Sequence, residues 1–146
     1  MGMMLNGDLL RSTFDLVIDR RPDLTVRFYE VLFQRYPDLQ PMFRGERSMQ
    51  AKMLAYAISA VLDHLDDAAW LQETLGNLGA RHHTYGVTAE MYGKVGDALL
   101  VTLAEVAGAD WSAEVAQQWS WAYTAIASMM QAGVGQRDSI SDERAA

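Results

Sequence analysis

The spacing of apolar residues along the chain predicts helices and no strands. Apolar residues recur at three- and four-residue intervals through most of the 146 residues, and no segment alternates as a half-buried strand does. All three prolines, at positions 22, 37 and 41, lie in the first third of the chain, so no proline interrupts a helix after Arg44. The pattern therefore predicts an all-α domain of six or seven helices.

Turn and capping residues set the predicted helix boundaries. Pro22 and Pro37 end the first two helices, and the proline-bracketed segment 38–43 is predicted to form one helical turn at most. The residues predicted to begin the later helices are Ser48, Asp66 or Asp67, Thr88, and Asp110 or Ser112. The last of these helices is predicted to end near Gly133. The domain then covers residues 6–134, and the polar residues 135–146 are predicted to be a disordered tail.

Composition and charge exclude several classes of function. The formal net charge of −7 argues against a nucleic-acid partner, because phosphate binding needs clustered positive charge. The chain has no cysteine, which excludes disulfides, thiolate catalysis and cysteine-ligated metals and fits a reducing compartment. No apolar run approaches the roughly 20 residues of a membrane helix, and the N-terminus lacks a signal-peptide core. We expect a soluble, cytoplasmic protein that does not bind membranes.

Three histidines carry the candidate metal chemistry. His64 is flanked by aspartates and is predicted to be solvated. His82 continues an apolar helix face, whereas the adjacent His83 points about 100° away from it. That face consists of Leu71, Leu75 and Leu78. The pattern allows a buried histidine bonded to a carbonyl or a single axial imidazole for haem iron, and it does not choose between them.

Two polar residues lie on helix faces that are otherwise apolar. Gln50 begins a stripe that continues through Leu54 and Val61, and Tyr29 lies between Val26 and Phe33. A glutamine near a helix start can keep access to water, and a core tyrosine usually finds a partner for its hydroxyl. The spacing alone leaves open whether either residue has a functional role.

Three segments resemble the haem domain of flavohaemoglobins and their single-domain bacterial relatives. RFYEVLFQRYPDLQPMF (27–43) resembles the second helix and following turn of that family, and ARHHTYGVTAEMYGKVGDALL (80–100) resembles the segment with its haem-ligating histidine. QQWSWAYTAIA (117–127) resembles its final helix. The resemblance covers about 6–134. It implies a globin fold, with six to eight helices around a haem pocket.

The resemblance also implies a role for individual residues. His82 would be the iron ligand, Phe43 the ring that packs on the haem, and Leu54 an apolar contact. Tyr92 would lie on the histidine side and support the ligand. On the opposite side, the catalytic pair would be Tyr29 and Gln50, which would both hydrogen-bond bound dioxygen.

The implied function is that of a haem b protein that reversibly binds dioxygen, carbon monoxide and nitric oxide. Nitric-oxide dioxygenation would need electrons from an external reductase, because no glycine-rich dinucleotide-binding loop is present. The alternatives are non-catalytic oxygen storage, transport or delivery, and haem-based gas sensing. The sequence therefore leaves open whether the protein is an enzyme.

Two features depart from the family pattern. Val134 stands where the family has a glutamate that completes a triad with the histidine and tyrosine, so electron donation from this side is expected to be weak. The loop after Phe43 is about three residues shorter than in familiar members. The final helix also carries more large apolar residues than one core face needs, which suggests a homodimer. These residues are Trp119, Trp121, Met129 and Met130.

Overall fold

Six α-helices and two 3-10 helices make up the described part of the chain. The computed structural model describes the backbone of residues 5–145 and the side chains of residues 5–134. The α-helices are α1 (Gly7–Arg20), α2 (Leu24–Arg35), α3 (Arg47–Asp63), α4 (Ala68–Thr84), α5 (Ala89–Ala107) and α6 (Ala113–Ala145). The 3-10 helices are Pro37–Met42 and Gly108–Asp110. The all-α prediction is confirmed, since residues 5–145 contain no strand.

Side-chain caps begin α4 and α6 where the sequence predicts them. The carboxylate of Asp67 accepts a hydrogen bond of 3.1 Å from the backbone N–H of Trp70. The hydroxyl of Ser112 accepts one of the same length from the backbone N–H of Val115. Each cap satisfies a backbone donor that has no partner within its helix.

The predicted cap of α3 is wrong. Ser48 lies inside the helix, which begins at Arg47 with Glu46 as the capping residue and no side-chain cap. The hydroxyl of Ser48 donates to the carboxylate of Glu46. Arg47 consequently stands at the first helical position, where a positive charge is unfavourable to the helix dipole.

The segment after α2 is more regular than predicted. Pro37–Met42 forms a six-residue 3-10 helix, about two turns. The prolines at positions 37 and 41 hold φ near helical values but remove two N–H donors, which disfavours a longer α-helix. Leu39 is buried and anchors this segment to the core.

Two hydrophobic clusters hold the helices together. The larger cluster joins α1, α2, α3, α5 and α6, and its largest fully buried apolar side chains are Leu10, Val17, Leu24, Leu32 and Leu103. The smaller cluster joins α3, α4 and α6 through Val61, Leu71, Leu75 and Met130. α2 packs against α3 and α5, and α4 packs mainly against α6. Within residues 5–134, the backbones of α3 and α4 approach each other at few positions.

The final helix differs from its prediction in two respects. Its backbone is helical to Ala145, past the predicted end at Gly133. Residues 135–146 lie outside the described side chains, so the boundary at 134 and the tail stay predictions. Of the large apolar residues behind the predicted homodimer, Trp119 and Met130 are buried and Trp121 and Met129 are half-buried, and the homodimer stays a prediction.

None of the helices in the described residues is long and apolar enough to cross a membrane.

Candidate functional site

His82 lies in the last turn of α4 with one ring nitrogen bonded to its own helix. Its side chain is half-buried, whereas His83 is exposed, as the apolar stripe predicts. Its Nδ1 lies 2.8 Å from the carbonyl oxygen of Leu78. Because a carbonyl only accepts, Nδ1 carries the hydrogen, and the neutral ring keeps its lone pair on Nε2. His82 is thus oriented as a monodentate metal ligand.

The donor set fits haem better than a bare metal ion. Among residues 5–134, no group of three His, Asp or Glu side chains could hold a metal ion. A single imidazole cannot complete the coordination of a bare ion, but it is the usual protein ligand of haem iron.

His64 is not solvated, so that prediction is wrong. Its ring stacks on Trp70 with 3.8 Å between centroids and 9° between planes. Its Nδ1 lies 2.7 Å from the carbonyl oxygen of Ala60. The turn between α3 and α4 brings the two rings together, and this contact leaves His64 in a structural role.

Glycines bring the helix that carries His82 into backbone contact with α6. A Cβ atom added to Gly79 would lie 1.9 Å from the carbonyl oxygen of Met130, and one added to Gly133 would lie 2.2 Å from that of Gly76. Only glycine allows backbones this close. Val134, where the family has its glutamate, directly follows this contact and is half-buried.

Tyr92 lies on α5 and packs against the smaller cluster, which also contains the apolar stripe of α4. Its carbonyl oxygen accepts a 2.6 Å hydrogen bond from the hydroxyl of Tyr123. Its own hydroxyl has no hydrogen bond among residues 5–134, and burial raises its pKa. The bond described for His82 goes to Leu78, so a direct Tyr92–His82 hydrogen bond is not part of this structure.

Tyr29 lies in an aromatic cluster at the junction of α2 and α3. Its ring centroid is 5.0 Å from that of Phe28, 6.0 Å from Phe33 and 5.5 Å from Phe43. Only 6% of Tyr29 is exposed, and this burial raises its pKa, an effect that the charge of Arg47 opposes. The hydroxyl therefore stays protonated near neutral pH and is available as a donor.

Gln50 and Leu54 occupy one face of α3, and the side-chain amide of Gln50 donates a hydrogen bond within the protein. The side-chain Nε2 of Gln50 donates to the carbonyl oxygen of Arg44 at 3.0 Å. Its Oε1 is buried and has no hydrogen-bond partner among the described residues. Leu54 is half-buried against the larger cluster. The structure brings Tyr29 and Phe43 into contact. The Arg44 carbonyl uses one of the two amide N–H groups of Gln50, which leaves the other for the predicted bond to a ligand.

Sequence reasoning missed Arg47, which packs on the same aromatic cluster. Its guanidinium carbon is 4.6 Å from the ring centroid of Phe33 and 5.5 Å from that of Tyr29. Its Nε is buried without a hydrogen-bond partner in the described part of the chain. A signal was available in the sequence, because residues 47, 50 and 54 are spaced i, i+3 and i+7 and share one helix face.

The helices, the imidazole of His82 and the aromatic cluster fit an all-α protein that holds haem through a histidine. The globin family model matches residues 26–130, and the chain belongs to the globin family. Membership of this family implies haem binding, and globins bind diatomic gases.

Curated relatives include flavohaemoproteins and a shorter globin. The flavohaemoprotein of Bacillus anthracis is 33% identical over 123 residues, which are 82% of this chain and 30% of that protein. This chain therefore spans about a third of the length of the flavohaemoproteins it matches. An uncharacterized globin-like protein of Aquifex aeolicus is 31% identical over 119 residues, covering 82% of this chain and 84% of the relative.

Two solved structures share the fold. An engineered carbene transferase from Rhodothermus marinus, described as a putative nitric oxide dioxygenase, has a TM-score of 0.80 at 24% identity, covering 95% of this chain and 99% of the other. A bacterial globin from Campylobacter jejuni has a TM-score of 0.77 at 24% identity, covering 91% and 96%. At these identities the two structures support the globin fold alone.

Proposed function

We propose that this globin holds haem b through Nε2 of His82 and reversibly binds dioxygen, carbon monoxide and nitric oxide on the side of Tyr29. The observation that carries the proposal is the bond from Nδ1 of His82 to the Leu78 carbonyl, which leaves the lone pair of Nε2 free to bind iron. The chain has no cysteine for a thioether bond to the macrocycle, which favours haem b over covalently attached haem.

The residues around the proposed haem have separate tasks. Haem iron supplies an exchangeable coordination position for a diatomic ligand. The Leu78 carbonyl holds the His82 ring in one orientation and increases its basicity. Phe43 and Leu54 supply apolar surface that limits water. The protonated hydroxyl of Tyr29 donates a hydrogen bond to a ligand that gains negative charge.

The test is haem uptake by the wild type and two single variants at adjacent positions. The wild type is expected to bind one haem per chain, with distinct ferric, ferrous and carbon-monoxide absorption spectra. His82→Ala should lose or strongly weaken these spectra, whereas His83→Ala should retain them because that side chain is exposed. Equal spectra for His82→Ala and the wild type would refute the assignment of the ligand.

Nitric-oxide dioxygenation with an external reductase is the catalytic version of this proposal. The Rhodothermus marinus protein is described as a putative nitric oxide dioxygenase, and this chain matches the flavohaemoproteins over a part of their length. Val134 stands where the resemblance predicts an acidic partner for His82, which favours reversible binding and oxygen storage or delivery. Gas sensing is the third candidate.

Three measurements separate these candidates. Rapid nitric-oxide consumption by the oxygen-loaded protein, sustained by an added flavin reductase and reduced in Tyr29→Phe, would favour the enzyme. Reversible oxygen binding without sustained consumption would favour storage. A ligand-dependent change in oligomeric state or partner binding would favour sensing.

A further inference from the structure

Arg47 is a half-buried cation without a carboxylate partner. The three other half-buried arginines all have such partners: Arg11 pairs with Asp63, Arg21 with Asp23, and Arg27 with Glu105 and Glu30. The full chain has 19 acidic and 12 basic residues, so carboxylates are not scarce. No ion pair involving Arg47 occurs among the described residues, and its Nε has no acceptor.

The surroundings of Arg47 are aromatic rings and hydrogen-bond donors. The guanidinium lies against Phe33 and Tyr29, whose faces attract a cation but accept no strong hydrogen bond. The neighbouring Tyr29 is protonated and has no hydrogen bond to its hydroxyl in the described residues. On this face, Oε1 of Gln50 is a buried acceptor that has no hydrogen-bond partner among the described residues. A bond between it and Nε of Arg47 would still leave the four outer guanidinium N–H groups as donors.

We propose that Arg47 makes the Tyr29 side of the site a receptor for small inorganic anions of the azide and nitrite class. This inference rests on the proposed haem site, and it adds a charge-specific ligand preference to it. A guanidinium donates charge-assisted hydrogen bonds to an anion, and its low hydration suits it to a partly buried position. A neutral ligand such as carbon monoxide gains little from the same group.

The test compares an anionic and a neutral ligand on the haem-loaded protein. Azide is titrated into the ferric protein and carbon monoxide into the ferrous protein, with the shift of the main absorption band as the readout. Arg47→Leu is expected to weaken azide binding about tenfold or more, the loss of one charge-assisted bond, and to change carbon-monoxide affinity less than twofold. Arg47→Lys should lie between, because it keeps the charge but loses the planar fork.

Lys52→Leu is the matched control, because it removes one positive charge from an exposed position on the same helix. It should change azide affinity less than twofold. Equal losses in Arg47→Leu and Lys52→Leu, or equal losses for azide and carbon monoxide, would overturn the proposal and leave Arg47 as a packing residue.

Haem stoichiometry and thermal unfolding are measured first for each variant. If Arg47→Leu does not fold, the comparison of Arg47→Lys with the wild type decides, and unchanged azide affinity in that variant refutes the inference. A wild type that takes up no haem refutes the proposed function and this inference together. A wild type that binds haem but shows no effect at position 47 refutes the inference alone.

Discussion

The two sides of the proposed haem site are built in opposite ways. On the His82 side, α4 and α6 meet backbone to backbone, and Nδ1 of His82 and the hydroxyl of Tyr123 both have partners. On the Tyr29 side, the rings of α2 pack on Phe43 and on Arg47 of α3. There, Nε of Arg47 and Oε1 of Gln50 have no hydrogen-bond partner in the described residues. A buried polar atom without a partner costs about 1–3 kcal/mol. A ligand that accepted a hydrogen bond from Nε of Arg47 would recover part of that cost.

The helices on the two sides, α3 and α4, differ in the same way in how closely they are packed. α3 has two buried residues, Ala51 and Val61, and exposes 56% of Met49, 65% of Met53 and 78% of Tyr56. α4 is fixed by its extensive contact with α6. The chain thus holds the proposed iron ligand on a tightly packed helix and places the exchangeable ligand beside a loosely packed one.

The largest expected effect comes from disrupting the close contact between α4 and α6 on the His82 side. Gly79→Ala places a methyl group on the Met130 carbonyl, so α4 must move away from α6. We expect a loss of about 3 kcal/mol in the free energy of unfolding, at the upper end for overpacking. Denaturant unfolding of the haem-free protein measures it.

Gly93→Ala is the matched control, since a Cβ there meets no atom within 4 Å. It should stabilise α5 by about 0.5–1 kcal/mol through helix propensity. Similar destabilisation in both variants would contradict the close α4–α6 crossing.

A second prediction compares the half-buried Tyr123 with the buried Tyr29 in the haem-free protein. Tyr123→Phe removes the 2.6 Å bond to the Tyr92 carbonyl and should cost about 1 kcal/mol of unfolding free energy. Tyr29→Phe removes a hydroxyl that bonds to no described residue, so its cost should be close to zero. Denaturant midpoints at neutral pH give both values. A larger loss for Tyr29→Phe would mean that the Tyr29 side is as well satisfied as the other.

The helices and the orientation of His82 were predictable because their causes are local. The stripe that ends at His82 and the caps at Asp67 and Ser112 depend on residues within about one or two turns of each other. The lack of proline inside the helices is also a local cause. The assignment of haem came from a resemblance, since the spacing of His82 alone allowed a plain core histidine as well.

The features that were missed depend on a second element. Gly76 and Gly79 weaken an isolated helix, and their use becomes visible only when α6 lies against them. The ring of Trp70 that covers His64 lies across a turn. The direction of the Gln50 amide follows from the Arg44 carbonyl, whose position depends on the loop after Phe43. None of these contacts leaves a periodic signal in the sequence.

A third prediction tests whether the unsatisfied polar groups lower stability. Arg47→Leu removes a half-buried cation but keeps apolar contact with Phe33. The haem-free variant should gain about 0.5–1 kcal/mol in unfolding free energy, and Lys52→Leu should change it by less than about 0.5 kcal/mol. A loss of stability in Arg47→Leu would show that the cation–ring contacts outweigh the cost of burial.

The smallest expected effect is a change in the alkaline limb of the stability curve. Burial, and secondly the nearby Tyr92, raise the pKa of Tyr123 above its value in the unfolded chain, about 10. The folded state therefore holds this proton more tightly. The stability linked to it is complete below pH about 10 and is lost as the pH rises further.

Tyr123→Phe should accordingly flatten the fall in melting temperature above pH about 10, although Tyr29 and Tyr92 still contribute. Tyr85→Phe, at a side chain 72% exposed, should leave the curve unchanged. An alkaline limb as steep in Tyr123→Phe as in the wild type would mean that the other tyrosines with a raised pKa, which are Tyr29, Tyr36 and Tyr92, account for it.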